Sequence, residues 1–185
     1  MPPKIKITRE KIIAAALELV RREGADALNA RGIARELGCS TQPIFSNFSG
    51  MGELKLATVA RAEELCVGYI EREIASGEFP PYKASGMAYI RFAKEERELF
   101  ALLYMRDRSD EAEEDSPLFD RMTGVVRTNT GLGEEDARLF HLEMWAYVHG
   151  IAAMLATGFL ELDRELISRM LTDSYQGLRL RYRME

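Results

Sequence analysis

The sequence predicts an all-α protein: a three-helix head containing a helix-turn-helix, then a larger helical body. Three observations carry this. Apolar residues return at one-turn spacing along most of the chain, as Ile12, Ala16, Leu19 and Val20 do. Residues that start and stop helices stand at the edges of those patterns: Thr8, Asn29 and Asp163 as N-caps, Gly24 and Gly38 as ends, Pro80-Pro81 as a break. Finally, 46% apolar and 30% charged residues over 185 positions make a chain able to bury a substantial core. The head is expected at 5–50 and the body at 51–185.

Residues 1–7 place Lys4 and Lys6 among prolines and isoleucines. They read either as a frayed end or as an arm that reaches phosphate or a minor groove. Thr8 caps the first helix, which runs to Glu23. Asn29 caps a short helix over Ala30–Glu36, with Ile33 and Ala34 inward. Leu37-Gly38-Cys39 is a turn, since Gly38 takes the left-handed conformation at little cost. Ser40 is expected to cap the next helix, through Gln42-Pro43-Ile44-Phe45-Ser46-Asn47. Pro43 sits in its first turn, where the missing N–H breaks no bond. Two helices joined by such a turn describe a helix-turn-helix, whose second helix can enter the DNA major groove.

Gly50 to Ala75 reads as one long helix, with Leu54, Ala57, Val59, Leu65, Cys66, Tyr69, Ile70 and Ile74 as its apolar positions. About 26 residues would span roughly 39 Å, so it is either a lever between head and body or a plain connector. Helices follow over Tyr82–Lys94 and through Met105. Asp107 to Asp115 is acidic and reads as a solvated loop; it lacks the Gly and terminal Glu spacing of a calcium loop. Ser116-Pro117 opens a helix through Thr128, and Asn129–Gly133 is a turn. Glu134–Leu160 is the most apolar helix, with Gly150, Ala152, Ala153, Ala156 and Gly158 allowing close approach. Asp163 caps a last helix to Arg181, with Leu166, Ile167, Met170, Leu171, Tyr175 and Leu178 inward. These two C-terminal helices suit a four-helix interface between two copies.

Composition narrows the function. No apolar run approaches the ~20 residues of a membrane span. The charged N-terminus lacks a signal-peptide core, so a cytoplasmic protein is expected. Cys39 and Cys66 fit a reducing compartment and have no metal or disulfide spacing. No G-x-S-x-G, P-loop, G-x-G-x-x-G or H-E-x-x-H string occurs, so an enzyme and a cofactor are not expected. His141 and His149 lack a third convergent ligand, so no metal site is expected. The net charge is −5, yet residues 1–48 carry eight basic and five acidic side chains, leaving −8 for 49–185. A basic end on an acidic body is compatible with DNA binding, because phosphate neutralisation is local.

Within the motif, Gln42 is the first candidate base reader, since glutamine can bond adenine bidentately; Thr41 can offer a hydroxyl or a methyl to thymine. Ser40, Ser46, Asn47, Arg31 and Lys55 are the other polar candidates. Of these, Ser40, Asn47, Arg31 and Lys55 suit phosphate, which fixes register without reading sequence. Pro43 and Phe45 add apolar contact with sugars or thymine methyls.

The stretch Ala27 to Gly50 resembles the DNA-binding segment of the TetR/AcrR-type transcriptional regulators. The resemblance rests on Gly24, Asn29, Ile33-Ala34, Gly38, Cys39-Ser40, Ile44-Phe45-Ser46-Asn47-Phe48 and Met51. It departs from the family pattern in three places: Phe45 replaces a Tyr, Asn47 a His, and Met51 a Lys. Lys55, one turn on, stands where it can partly replace that Lys. In the family, Arg9's place often approaches the DNA backbone. Trp145, His149 and Gly150 resemble the signature of one subgroup in the C-terminal domain.

The resemblance implies a homodimer that binds a double-stranded DNA operator and a small-molecule effector, most often as a repressor. The effector site would be lined by Tyr69, Met87, Phe100, Tyr104, Phe119, Met122, Trp145, His149 and Met154; methionine lets such a site re-pack. Ordinary core packing is the alternative for each of them. For His149 it is a core histidine bonded to a backbone carbonyl. The alternative for the whole chain is a helical small-molecule-binding or interaction module with a vestigial DNA head, motivated by Met51 and Phe45.

Overall fold

A computed structural model describes residues 7–106 and 117–182. The expected N-terminal arm with Lys4 and Lys6, and the acidic loop Asp107–Asp115, lie outside the described residues. Among the described residues the chain forms nine α-helices and no strand: α1 (Arg9–Glu23), α2 (Ala30–Glu36), α3 (Gln42–Asn47), α4 (Met51–Ser76), α5 (Pro81–Glu95), α6 (Arg97–Tyr104), α7 (Pro117–Thr130), α8 (Glu134–Ala156) and α9 (Arg164–Arg181).

Backbone packing groups these residues into two compact units. Among the described residues, the first holds those up to Leu65 together with Glu96–Arg106, and the second holds Cys66–Glu95 and those from Pro117 onward. In the first, α1 packs against α2, α3 and α6. Ile12, Leu19, Ile33, Ile44, Leu54, Leu99 and Phe100 are all at most 1% exposed and form its core. In the second, α5 packs against α7, α8 and α9, and α8 also packs against α7 and α9. Gly86 makes the α5 approach possible: a Cβ there would stand 3.2 Å from Leu171 Cδ1 and 3.4 Å from Val148 Cγ2.

The caps follow the sequence closely. Thr8 Oγ1 accepts from the Lys11 amide and Asn29 Oδ1 from the Gly32 amide, and Asp163 caps α9 through the Leu166 amide. Gly38, at φ 62°, ends α2. The Cys39 amide donates to Ala34 O and the Gly38 amide to Arg35 O, the paired bonds of a Schellman motif.

Four expectations are corrected. Thr41, not Ser40, is the N-cap of α3, and it takes helical dihedrals and makes no side-chain cap bond. Helix α8 stops at Ala156 rather than Leu160, because Gly158 turns left-handed and Phe159 donates back to Met154 O. Helix α7 continues to Thr130. Leu166 is exposed, at 41%. On α4 the buried line is Leu54, Thr58, Ala62, Cys66, Ile70 and Glu73, a three- and four-residue repeat that includes two polar residues. Thr58 is satisfied by donating to Leu54 O at 2.8 Å.

Candidate nucleic-acid interface

Helix α3 has six residues, too short to hold together without its surroundings. Ile44 and Phe48 anchor it, at 1% and 3% exposure. That burial turns the opposite side outward. Gln42, Phe45 and Ser46 are exposed, and Thr41, Pro43 and Asn47 are partly so. Ser40 and Arg31 lie exposed beside them, as does Lys55 on the first turns of α4. The nine candidates therefore share one unit and none is buried.

They are not equally available. Ser46 Oγ donates to Gln42 O at 2.9 Å, and Asn47 Nδ2 donates to Pro43 O at 2.7 Å. These bonds back to the preceding turn occupy the Ser46 hydroxyl proton and one of the two Asn47 amide protons. Gln42 and Phe45 are the large side chains left facing outward.

Arg9, whose place in the family often approaches the DNA backbone, is tied to neighbouring side chains and backbone within this unit. Its Nη1 donates to Asn47 O at 2.8 Å and to Glu53 Oε1 at 2.7 Å, and its guanidinium lies 4.1 Å from the Phe48 ring centre. Glu53 in turn accepts from the Ser49 amide at 2.7 Å and the Ser49 hydroxyl at 2.8 Å. The Ser49 amide first, then the Arg9 guanidinium and the Ser49 hydroxyl, hold the Glu53 carboxyl at about 2. The sequence reading missed this group. Its only local trace is Glu53 standing four residues after Ser49 at the start of an apolar run. Arg22 forms a second tie, donating to Glu36 Oε2 at 2.9 Å and linking α1 to α2.

The residues named for an effector site fall in both units. Phe100 and Tyr104 belong to α6 and the first unit, with ring centres 5.1 Å apart. The others belong to the second. Met87 and Met122 are buried, at 5% and 3% exposure. Tyr69 donates to Glu95 at 2.9 Å and meets Phe92 edge-on. Trp145, 39% exposed, stacks on His149 with centres 5.1 Å apart. His149 Nδ1 is hydrogen-bonded to the Tyr89 hydroxyl at 2.9 Å, so the partner at that ring nitrogen is a phenol. Burial lowers its pKa.

One turn-set earlier on the same two helices, the Tyr82 hydroxyl meets His141 Nδ1 at 2.8 Å, and the Phe119 ring lies 4.4 Å from the imidazole. Burial lowers the His141 pKa to about 4 and raises that of Tyr82. Glu73 is a further unforeseen buried group, ion-paired to Arg164 at 2.9 Å and Arg91 at 3.1 Å. Among the described residues no group of three or more His, Cys, Asp or Glu is placed to hold a metal. None of the described helices is long and apolar enough to cross a membrane.

Comparison with known proteins matches this geometry to a family. Residues 12–58 match the model for bacterial regulatory proteins of the tetR family, and residues 82–174 match that for the tetracyclin repressor-like C-terminal domain. The chain belongs to the TetR family. It is accordingly a DNA-binding transcriptional regulator, and TetR-family membership points away from an enzyme. Two solved structures from Rhodococcus sp. RHA1 share the fold. One is described as a protein with unknown function, with a TM-score of 0.76 and 24% identity over 97% of this chain and 100% of that one. The other is a TetR-like transcriptional regulator, with a TM-score of 0.67 and 16% identity over 96% of this chain and 98% of that one. No curated protein is matched.

Proposed function

We propose that this TetR-family protein is a homodimeric repressor released from a pseudo-palindromic operator by a small-molecule effector. The observation that carries the reading is the outward side of α3. Gln42, Phe45 and Ser46 project from a short helix whose other side is anchored by Ile44 and Phe48. In this reading Gln42 and Thr41 face base edges, Pro43 and Phe45 face sugars or thymine methyls, and Ser40, Arg31 and Lys55 face phosphate.

The dimer is drawn through α8 and α9. Leu139, Leu142 and Trp145 recur every three residues on α8 at 40%, 47% and 39% exposure, and Leu166 and Leu180 on α9 at 41% and 77%. Such apolar exposure favours burial against a second copy. Two recognition helices would then need centres about 34–36 Å apart, one turn of DNA. An effector in the second unit, near Tyr69, Met87, Phe119, Met122, Trp145 and His149, would favour a dimer with its heads wrongly spaced. Coupling of about 1–3 kcal/mol would release DNA roughly 5- to 150-fold.

The test is a fluorescence-anisotropy titration of the purified protein against DNA flanking its own gene. The reading expects tight binding at low salt that falls steeply as salt rises. Failure to bind any such fragment at low salt overturns it.

Met51, where relatives carry Lys, favours a second reading in which DNA binding is weak and the helical body does the work. Binding that stays weak and insensitive to salt would select it.

A further inference from the structure

We propose that Arg9 is a positioning residue for DNA recognition: with Glu53 it locks the C-terminal end of α3 and the first turn of α4 onto α1. This rests on the DNA-binding reading above. The last carbonyls of any helix lack partners within it, and in six residues they are a large share of the whole. Arg9 satisfies one of them, Asn47 O, from 38 positions away. It also sets a positive charge at the negative end of the α3 dipole.

The same Nη1 reaches Glu53, and the flat guanidinium covers Phe48, the residue that ends α3. Glu53 holds the Ser49 amide and hydroxyl, so the Phe48–Gly50 link between the helices is pinned from both ends. One guanidinium thus joins three elements around the chain link from α3 to α4. A lysine ammonium is a compact point charge that cannot lie flat on the ring while serving both acceptors.

The consequence has a sign opposite to bare electrostatics. Removing the Glu53 charge beside a DNA face would ordinarily strengthen binding to phosphate. The clamp requires the reverse for specific DNA, because an α3 released from its anchor presents Gln42 and Phe45 at varying angles.

The experiment uses the full chain and two probes. One is a duplex that the wild-type protein selects from a randomised library; the other is sheared genomic DNA. Glu53→Gln and Arg9→Lys are each expected to weaken the selected duplex about fivefold or more, while neither weakens binding to sheared DNA and the salt slope stays unchanged. The double variant is expected to lose little beyond either single one, since both break the same clamp. If Arg9→Lys binds as wild type, and Arg9→Gln lowers the salt slope by about one per head, Arg9 is a phosphate contact and the proposal falls. It falls equally if Glu53→Gln tightens the selected duplex. Should Arg9→Gln fail to fold, Arg9→Lys and Glu53→Gln decide alone, with circular dichroism at the assay temperature showing that they are folded. A wild-type protein that selects no duplex overturns the DNA reading and the clamp together.

Discussion

His141 gives the second unit a pH-dependent stability that can be isolated from every carboxylate. The imidazole is 7% exposed, bonded to Tyr82 and close to the Phe119 ring. Burial lowers its pKa from 6.5 to about 4. The folded chain therefore resists protonation that the unfolded chain accepts. Stability from this residue is complete above about 6.5 and is lost as pH falls toward 4, about 3 kcal/mol in all. Between pH 7 and 5 the loss is about 2 kcal/mol, or a urea midpoint lower by about 1 M. His149, also lowered by burial, adds in the same direction. Carboxylates with lowered pKa, such as Glu53, Glu78 and Glu36, contribute stability that is lost only as pH falls below 4.5. The pH window from 7 to 5 thus reports histidine. The assay is urea unfolding by circular dichroism at several pH values and one protein concentration, on wild type and His141→Gln. The variant is expected to be less stable at pH 7, with a pH slope flatter by about 2 kcal/mol across the window. Superimposable slopes would refute the argument.

Asn29→Ala removes the cap of α2 and is expected to cost about 1 kcal/mol, read as a lower urea midpoint with little change in cooperativity. Gly86→Val puts two methyls beyond a Cβ that already stands 3.2 Å from Leu171. Overpacking there is expected to destabilise by about 1–3 kcal/mol, measured by thermal melting. Leu142→Lys on the exposed side of α8 is expected to shift the protein toward monomer in sedimentation, leaving its helical content intact. With Arg31 and Lys55 as the phosphate contacts on each of two heads, log K against log salt is expected to have a slope near −4. Arg31→Gln and Lys55→Gln should each remove about two from its magnitude, one per head.

The helices were legible because their signals are local. Thr8, Asn29 and Asp163 cap through an amide three residues on, so type and place decide the outcome within one turn. Gly38 ends α2 for the same reason. Where the sequence misled, a local competitor won. Gly158 stopped α8 early through a Schellman turn, although the apolar run continues through Phe159 and Leu160. Ser40 and Thr41 are both plausible caps by type, and only backbone geometry separates them.

The outward side of the candidate helix was legible in the sequence, and what supports that helix was not. The outward residues of α3 follow from Ile44 and Phe48 facing in, which apolar spacing reveals. What holds α3 does not follow from spacing at all. Arg9 finds its partners 38 and 44 residues away, and Arg164 finds Glu73 at 91. Tyr82 and Tyr89 find their histidines at 59 and 60. In sequence each of these looks like a solvated charge or a plain aromatic, since arginine and glutamate are abundant on every helical surface. Only folding gives them acceptors and donors at 2.7–3.1 Å. A motif can therefore mark the helix proposed to meet DNA, while the bonds that tie that helix down come from residues the motif does not contain.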